Sequence, residues 1–245
     1  MAAAGGNLLH AGSRSAGSRL MRLGTYYRYR LLGFLGLWDE VRATEDVLDV
    51  GGFDGFVLSR VACRSKTLVD PDAQSVFEGI EYVKADFLSH DFGGRRFDRI
   101  FSLDVIEHIP AGTEQRYFER IAALLKDGAT AYVTTPSKDI RVFPNFLRGW
   151  VARKWAHYKC FGYSETELRA LLRGSDLDCD VVELNAPAYL FWYLPVRALQ
   201  PLMPARLMNH ILTRLAAFDA GHSRGRHGYY LLRLRRRTGP SGDSR

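Results

Sequence analysis

Cysteine is scarce in this chain. Only Cys63, Cys160 and Cys179 occur among 245 residues; they are odd in number, widely spaced and form no C-x-x-C pair, which argues against a disulfide framework and against a zinc site. A reducing compartment fits that usage, and no other cluster of metal ligands is evident in the sequence. Long apolar runs are missing too. The nearest, Ala186 to Val196, is interrupted by prolines and falls short of the roughly 20 residues that a spanning helix needs, so a soluble, cytoplasmic protein is expected. Acidic residues are absent before Asp39. The opening segment MAAAGGNLLHAGSRSAGSRLMRLG carries arginines and serines, which suits either a solvated tail or an organelle transit peptide. Its arginines follow the weak apolar stretch, and that order excludes a signal-peptide layout. No internal repeat is found.

What is present is enough apolar material, 47% of residues, to bury one sizeable core. A single domain is expected over 25–236, between tails at 1–24 and 237–245, with an insertion at 185–226. The net charge of +7 is compatible with anionic partners, but an ordinary arginine-rich enzyme accounts for it better. From about residue 45 strand-like and helix-like segments alternate, the signature of a mostly parallel sheet with helices on both faces. Strands are predicted at Asp46 to Val50, Thr67 to Asp70, Glu81 to Lys84, Asp98 to Leu103, Thr130 to Thr135, Cys179 to Leu184 and Gly228 to Leu234. A helix is predicted from Thr113 to Lys126. Ser164 and Glu167 form a capping-box pattern ahead of Leu168, Leu171 and Leu172, which starts another near Ser164. The segment Pro195 to Phe218 is too long for a structureless loop and should hold helices.

The stretch VLDVGGFDGFVLSRV, Val47 to Val61, places glycines and an acid where a first strand turns into a helical pattern. In an open parallel sheet that turn lies beside the ligand. A dinucleotide fingerprint starting at Gly51 would need glycine at positions 53 and 56, and both hold phenylalanine. Asp54 would also set a carboxylate near a pyrophosphate that wants backbone N–H groups. A cationic ligand without phosphates removes both conflicts, and S-adenosylmethionine is such a ligand.

DVGGFDG resembles the first motif, D-x-G-x-G-x-G, of the class I S-adenosylmethionine-dependent methyltransferases of the small-molecule subgroup, departing from it at Phe53. LVDPD, KADF, FDRIFSLDVIEHI and LLKDGATAYVTTPS resemble the motifs that follow in that family, in order and at its spacing, over about residues 45 to 184. The resemblance implies an α/β Rossmann-like, doubly wound sheet of seven strands, mostly parallel with the last antiparallel and a helical insertion before it. It also implies a cofactor map. Gly51, Gly52 and Gly55 would let the main chain approach the ligand, and Asp49 below them would orient backbone amides and hold the methionine amino end. Asp70 would accept from the ribose hydroxyls, Asp86 from the adenine amino group with Phe87 against the ring, and Leu103 and Asp104 would line the methionine side.

His108 and His157 are the candidate bases, should the acceptor be a hydroxyl. The expected reaction is methyl transfer to a small-molecule, sugar or lipid-type acceptor, at oxygen, with acceptor residues in Met21 to Trp38, Ser137 to Tyr163 and Asn185 to Gly221. Arginines beside a wide apolar face at 186–213 suit either a lid or contact with a membrane surface. Two other readings stay open: a scaffold that binds the cofactor without chemistry, and a nicotinamide-dependent oxidoreductase. A nucleic-acid methyltransferase is disfavoured, because SLDV stands where an N-P-P-Y-type motif would follow the fourth strand.

Overall fold

The structure is a computed structural model describing residues 23–154, 162–225 and 227–237. Seven strands form one sheet: β1 (Asp46–Val50), β2 (Ser65–Val69), β3 (Glu81–Val83), β4 (Phe97–Leu103), β5 (Leu125–Pro136), β6 (Leu177–Leu184) and β7 (Tyr229–Arg236), in the order β3-β2-β1-β4-β5-β7-β6. β1 to β5 pair in parallel, and β7 inserts antiparallel between β5 and β6. Every predicted strand is present. The strand order reverses between β1 and β4, so the expected ligand position is the carboxyl end of these two strands.

Side chains alternate across the sheet with period two, and each face has its own core. Leu48, Val50, Ile100 and Val133 face helices α2 (Glu114–Leu124) and α4 (Glu165–Leu171) through Tyr117, Phe118, Ile121 and Leu168. Val47, Leu68, Phe101 and Tyr132 face α1 (Leu23–Phe34), α5 (Pro187–Leu199) and α6 (Ala205–Gly221) through Tyr27, Leu31, Leu190 and Leu212. Of the expected tails, Leu23 and Gly24 lie in α1 and Arg237 follows β7; residues 1–22 and 238–245 lie outside the described residues.

The predicted capping box forms. The Ser164 hydroxyl accepts from the Glu167 amide at 3.2 Å, and the Glu167 carboxylate accepts from the Ser164 amide at 2.8 Å. The helix predicted to Lys126 ends two residues earlier, because Leu125 adopts an extended conformation and starts β5 directly. A larger departure follows β1. The apolar pattern after the glycine turn does not build an α-helix; it folds as turns and a single 3-10 turn at Leu58–Arg60, packing Phe56, Val57 and Val61 in a small core of their own.

The insertion fills the same face of the sheet. α6 lies along α1, and Asp219 joins three helices at once. Its carboxylate accepts from the Ala188 amide at 2.8 Å, the Tyr189 amide at 3.0 Å and the Tyr27 hydroxyl at 2.7 Å. It thereby caps the N-terminus of α5, which has no side-chain cap of its own and begins with Pro187. Tyr27 and Tyr189 stack with ring centroids 3.8 Å apart. α3 (Arg148–Lys154) follows β5 at the rim.

Candidate functional site

A cavity of about 350 Å³ opens at the carboxyl ends of β1 and β4, between the glycine turn and the α1 and α5 helices. Its floor is the turn after Val50. Gly51 has φ +75°, and a Cβ there would sit 2.5 Å from a Val105 methyl; at Gly52 a Cβ would sit 2.3 Å from the Asp49 carboxylate. No side chain fits either place, so the bare backbone and Asp49 border the cavity together. Phe53, where the motif has its second glycine, takes φ +51°. That conformation costs a residue with a Cβ about 1–2 kcal/mol. It is held by the Asp70 carboxylate, which accepts from the Phe53 amide at 3.1 Å and from the Asp72 amide at 2.7 Å.

The opposite wall is built on β4. Asp104 has φ +58°; its amide donates to the Thr134 carbonyl and hydroxyl oxygens, and the Thr134 hydroxyl donates back to its carboxylate at 2.8 Å. From α1, Arg28 donates to the second Asp104 oxygen at 2.6 Å and lies 3.6 Å above the Tyr229 ring. The next turn adds Glu107, fully buried, whose Oε2 accepts from the Thr135 hydroxyl at 3.2 Å, and then His108. Two backbone residues with Cβ atoms in the left-handed region thus border one cavity, a concentration that marks functional sites.

Three buried groups here lack partners for part of their polar surface: Arg28 at Nε and Nη1, Asp49 at Oδ2 and Glu107 at Oε1. Native interiors rarely leave such atoms unsatisfied, because each costs about 1–3 kcal/mol. Burial, reinforced by Asp70 and Asp54, pushes the Asp49 carboxyl up to about 8. Burial, with Asp104 adding to it, also raises Glu107 well above the usual carboxylate range. Burial works against the Arg28 charge, but Asp104 together with the surrounding Tyr229, Tyr27 and Tyr189 outweighs it and the guanidinium stays protonated.

The cavity brings together Asp49, Gly51, Gly52, Leu103, Asp104 and His108 of the residues read from the sequence. Gly55 and Asp70 stand behind the turn, Gly55 against Tyr82. Asp86 and Phe87 are not at the cavity. The Asp86 carboxylate caps the amides of Leu88 and Ser89 at 2.8 and 3.1 Å, and the Phe87 ring is edge-packed on Tyr117 and Phe92 in the core beneath α2. β3 is short, and the chain after it packs the Phe87 ring into this core. His157 lies outside the described residues. Sequence reasoning missed Arg28 and the tyrosines Tyr189, Tyr193 and Tyr229. A signal for Arg28 was present, since it is a charge inside the stripe Leu23, Tyr27, Leu31, Leu32 that α1 buries. Among the described residues no group of three His, Cys, Asp or Glu side chains could hold a metal.

Comparison with known proteins agrees with this architecture. The family model described as a methyltransferase domain matches residues 22–183. No curated protein matches the chain. Among solved structures, phosphoethanolamine N-methyltransferase 2 of Haemonchus contortus, with S-adenosyl-L-methionine bound, superposes at a TM-score of 0.59 and 15% identity, covering 90% of this chain and 58% of that one. The N-methyltransferase NodS of Bradyrhizobium japonicum, with S-adenosyl-L-homocysteine, gives 0.51 at 16% identity over 86% and 87%. The YcgJ protein of Bacillus subtilis gives 0.54 at 15% identity over 86% and 100%. At such identities the likeness is one of fold. The family match spans most of the chain, and with the sheet order and the glycine turn it shows that this chain belongs to the methyltransferase-domain family, within the class I S-adenosylmethionine-dependent enzymes.

Proposed function

We propose that the chain transfers a methyl group from S-adenosylmethionine to an oxygen atom of a small-molecule acceptor, with sugar and lipid-type compounds included in that class. One observation carries the reading: the cavity is bordered by a buried guanidinium with Nε and Nη1 unpartnered and by a buried carboxyl group with Oδ2 unpartnered, beside a turn of bare backbone. An amino acid end needs that pair. Arg28 would hold the methionine carboxylate through Nε and Nη1, and Asp49 would face the ammonium group from below the turn. Asp70, behind the turn, keeps Phe53 in place and supplies the acid at the β2 end for the ribose. The bound cofactor supplies an electrophilic methyl group on a sulfonium, displaced in line by the acceptor.

The protein's own work is positioning and proton handling. Glu107 and His108 stand on the same wall, beyond Asp104. His108 is the candidate base for a hydroxyl acceptor. Glu107, buried and with Oε1 unsatisfied, can offer a hydrogen bond inside the cavity. The tyrosine rings from α5 and β7 line the remaining side, where an organic acceptor finds aromatic surface.

Calorimetric titration with S-adenosylmethionine and S-adenosylhomocysteine, beside NADH and NADPH, tests the cofactor. Micromolar binding of the first pair and none of the second is expected; the reverse would restore the oxidoreductase reading. A panel of alcohols, phenols and amines then tests the atom. Methyl label recovered only on nitrogen would overturn the choice of oxygen, and cofactor binding with no turnover across the panel would favour a scaffold.

A further inference from the structure

Among the described residues several large apolar side chains are exposed on the loop after β5 and on and after α5. Phe143 and Phe146, in the loop after β5, are 54% and 83% exposed; Phe191 and Trp192, on α5, are 45% and 49% exposed, and Leu202, after α5, is 81% exposed. Phe143 joins the loop to α5. The Phe143 amide donates to the Leu190 carbonyl at 3.2 Å, and the Phe143 and Phe191 rings stack with centroids 4.6 Å apart. Helical spacing carries the surface onward, because Trp192, Pro195 and Leu199 share the outward side of α5. Soluble monomers seldom show so many large apolar groups in one place without a use for them.

The charge around this surface has one sign. No acidic residue occurs from Asn185 to Phe218, where Arg197, Arg206 and Arg214 do, or from Ile140 to Tyr163, where Arg141, Arg148 and Arg153 do. Arg141, Arg153, Arg206 and Arg214 are exposed. A second copy would bring like charges together across an apolar seam, so a self-complementary contact is disfavoured. An anionic bilayer fits both features: aromatic rings enter the interfacial zone and arginines meet lipid head groups. No described helix is long and apolar enough to cross a membrane, and none need be.

The same helix reaches the cavity. Tyr193 and Arg197 line it from α5 while Phe191 and Trp192 point outward. We propose that the 143–150 segment and α5 dock this protein on an anionic bilayer surface and turn the cavity mouth toward an acceptor carried in that bilayer. The docking stands on the surface alone; the lipid-borne acceptor rests on the methyl-transfer reading.

The full chain is sedimented with phosphatidylcholine vesicles, with and without phosphatidylglycerol, at low and high salt. Binding at least tenfold stronger to the phosphatidylglycerol vesicles, weakened by salt, is expected. The double variant Phe191→Ser, Trp192→Ser should lose that binding by tenfold or more, and Arg206→Glu should reduce the preference for the anionic lipid. Both variants should keep wild-type affinity for S-adenosylmethionine by calorimetry, which shows that they fold. Should the double variant fail that control, Leu202→Ser carries the same expectation at a side chain almost wholly in solvent. No sedimentation with either vesicle, or sedimentation indifferent to these variants, overturns the proposal. So does a concentration-dependent dimer that the variants break, since the face would then belong to a second copy. Wild type that binds cofactor but no vesicle loses the docking alone, and wild type that binds vesicles but no cofactor loses the methyl-transfer reading alone.

Discussion

The two ends of the sheet treat buried charge in opposite ways. At the amino ends of the strands the carboxylates are matched. Asp46 accepts from Arg64, Ser65 and Lys126; Asp98 accepts from Lys126 and the Asp46 amide; Glu45 accepts twice from Arg99, at 2.8 and 3.1 Å. At the carboxyl ends Arg28, Asp49 and Glu107 each keep a buried atom without a partner. The matched carboxylates serve stability, and the unpartnered polar atoms around the cavity are set for something that arrives. The contrast predicts that substitutions at one end move the melting temperature while those at the other move affinity.

The largest effect belongs to Arg99→Met. The Arg99 and Glu45 side chains are 10% and 11% exposed, and Arg99 also donates to the Glu40 carbonyl at 2.9 Å. Removing the cation strands a buried carboxylate, which costs about 3 kcal/mol and lowers Tm by roughly 6–12 °C. Cofactor affinity should stay within twofold of wild type. A large loss of affinity with little change in Tm would break the division between the two ends.

Arg28→Met is the counterpart. The Asp104 side chain it leaves behind is 31% exposed and can rehydrate, so Tm should fall less than for Arg99→Met. S-adenosylmethionine affinity should fall tenfold or more, the worth of a charge-assisted hydrogen bond. Arg28→Lys should recover part of it, since the charge returns without the planar fork. Unchanged affinity in the methionine variant would remove Arg28 from the cofactor site.

The fold could be read more fully than the site. Hydrophobic alternation and the motif order carried all seven strands, because a central parallel strand such as Asp46–Val50 buries apolar residues on both faces, here Val47 on one and Leu48 and Val50 on the other. The stretch after β1 could not be read the same way. Its apolar residues suit a helix, yet Phe56, Val57 and Val61 find burial against Tyr26, Tyr29 and Trp38 in a compact run of turns. The tertiary contact overrides the local pattern. Phe87 shows the same limit, for sequence places it beside Asp86 but only packing against Tyr117 shows which way its ring turns. Arg28 is distant in sequence from every motif and meets Asp104 only because α1 crosses the end of β4.

A smaller effect separates the two carboxylates of β1 by their pH behaviour. Asp49 is held at about 8 by burial and by Asp70 and Asp54, so the free protein keeps it protonated at neutral pH. Its folded value lies above its unfolded one, and the stability this gives is fully present below about pH 4 and is lost as pH rises through 8. An ammonium group nearby favours the ionised form. Binding below pH 8 should therefore release protons, seen as a buffer-dependent enthalpy, and affinity should climb toward pH 8 and level off above it. In Asp49→Asn both signatures should vanish. Proton release that survives in that variant would assign it to another group.

The smallest effect returns to the amino end, at Lys126→Met. Lys126 bridges Asp46 and Asp98 at 2.9 and 2.7 Å, but its side chain is 34% exposed. Hydrogen bonds from Arg64 first, then from Lys126, hold the Asp46 carboxyl well below the usual range against a modest opposing effect of burial. A carboxylate depressed in this way adds stability above its unfolded value near pH 4, and that stability is lost as pH falls through the lower folded value. Solvent screens the pair, so losing Lys126 should cost under about 1 kcal/mol at neutral pH, and Arg64 would keep Asp46 ionised. High salt should narrow the gap between variant and wild type, as it would not for Arg99→Met, whose partner is buried. Melting curves at low and high salt make the check. A salt-insensitive loss of 2 kcal/mol or more would mean that the matched charges of this edge act as one buried network, and that Arg99 and Glu45 are not its only costly members.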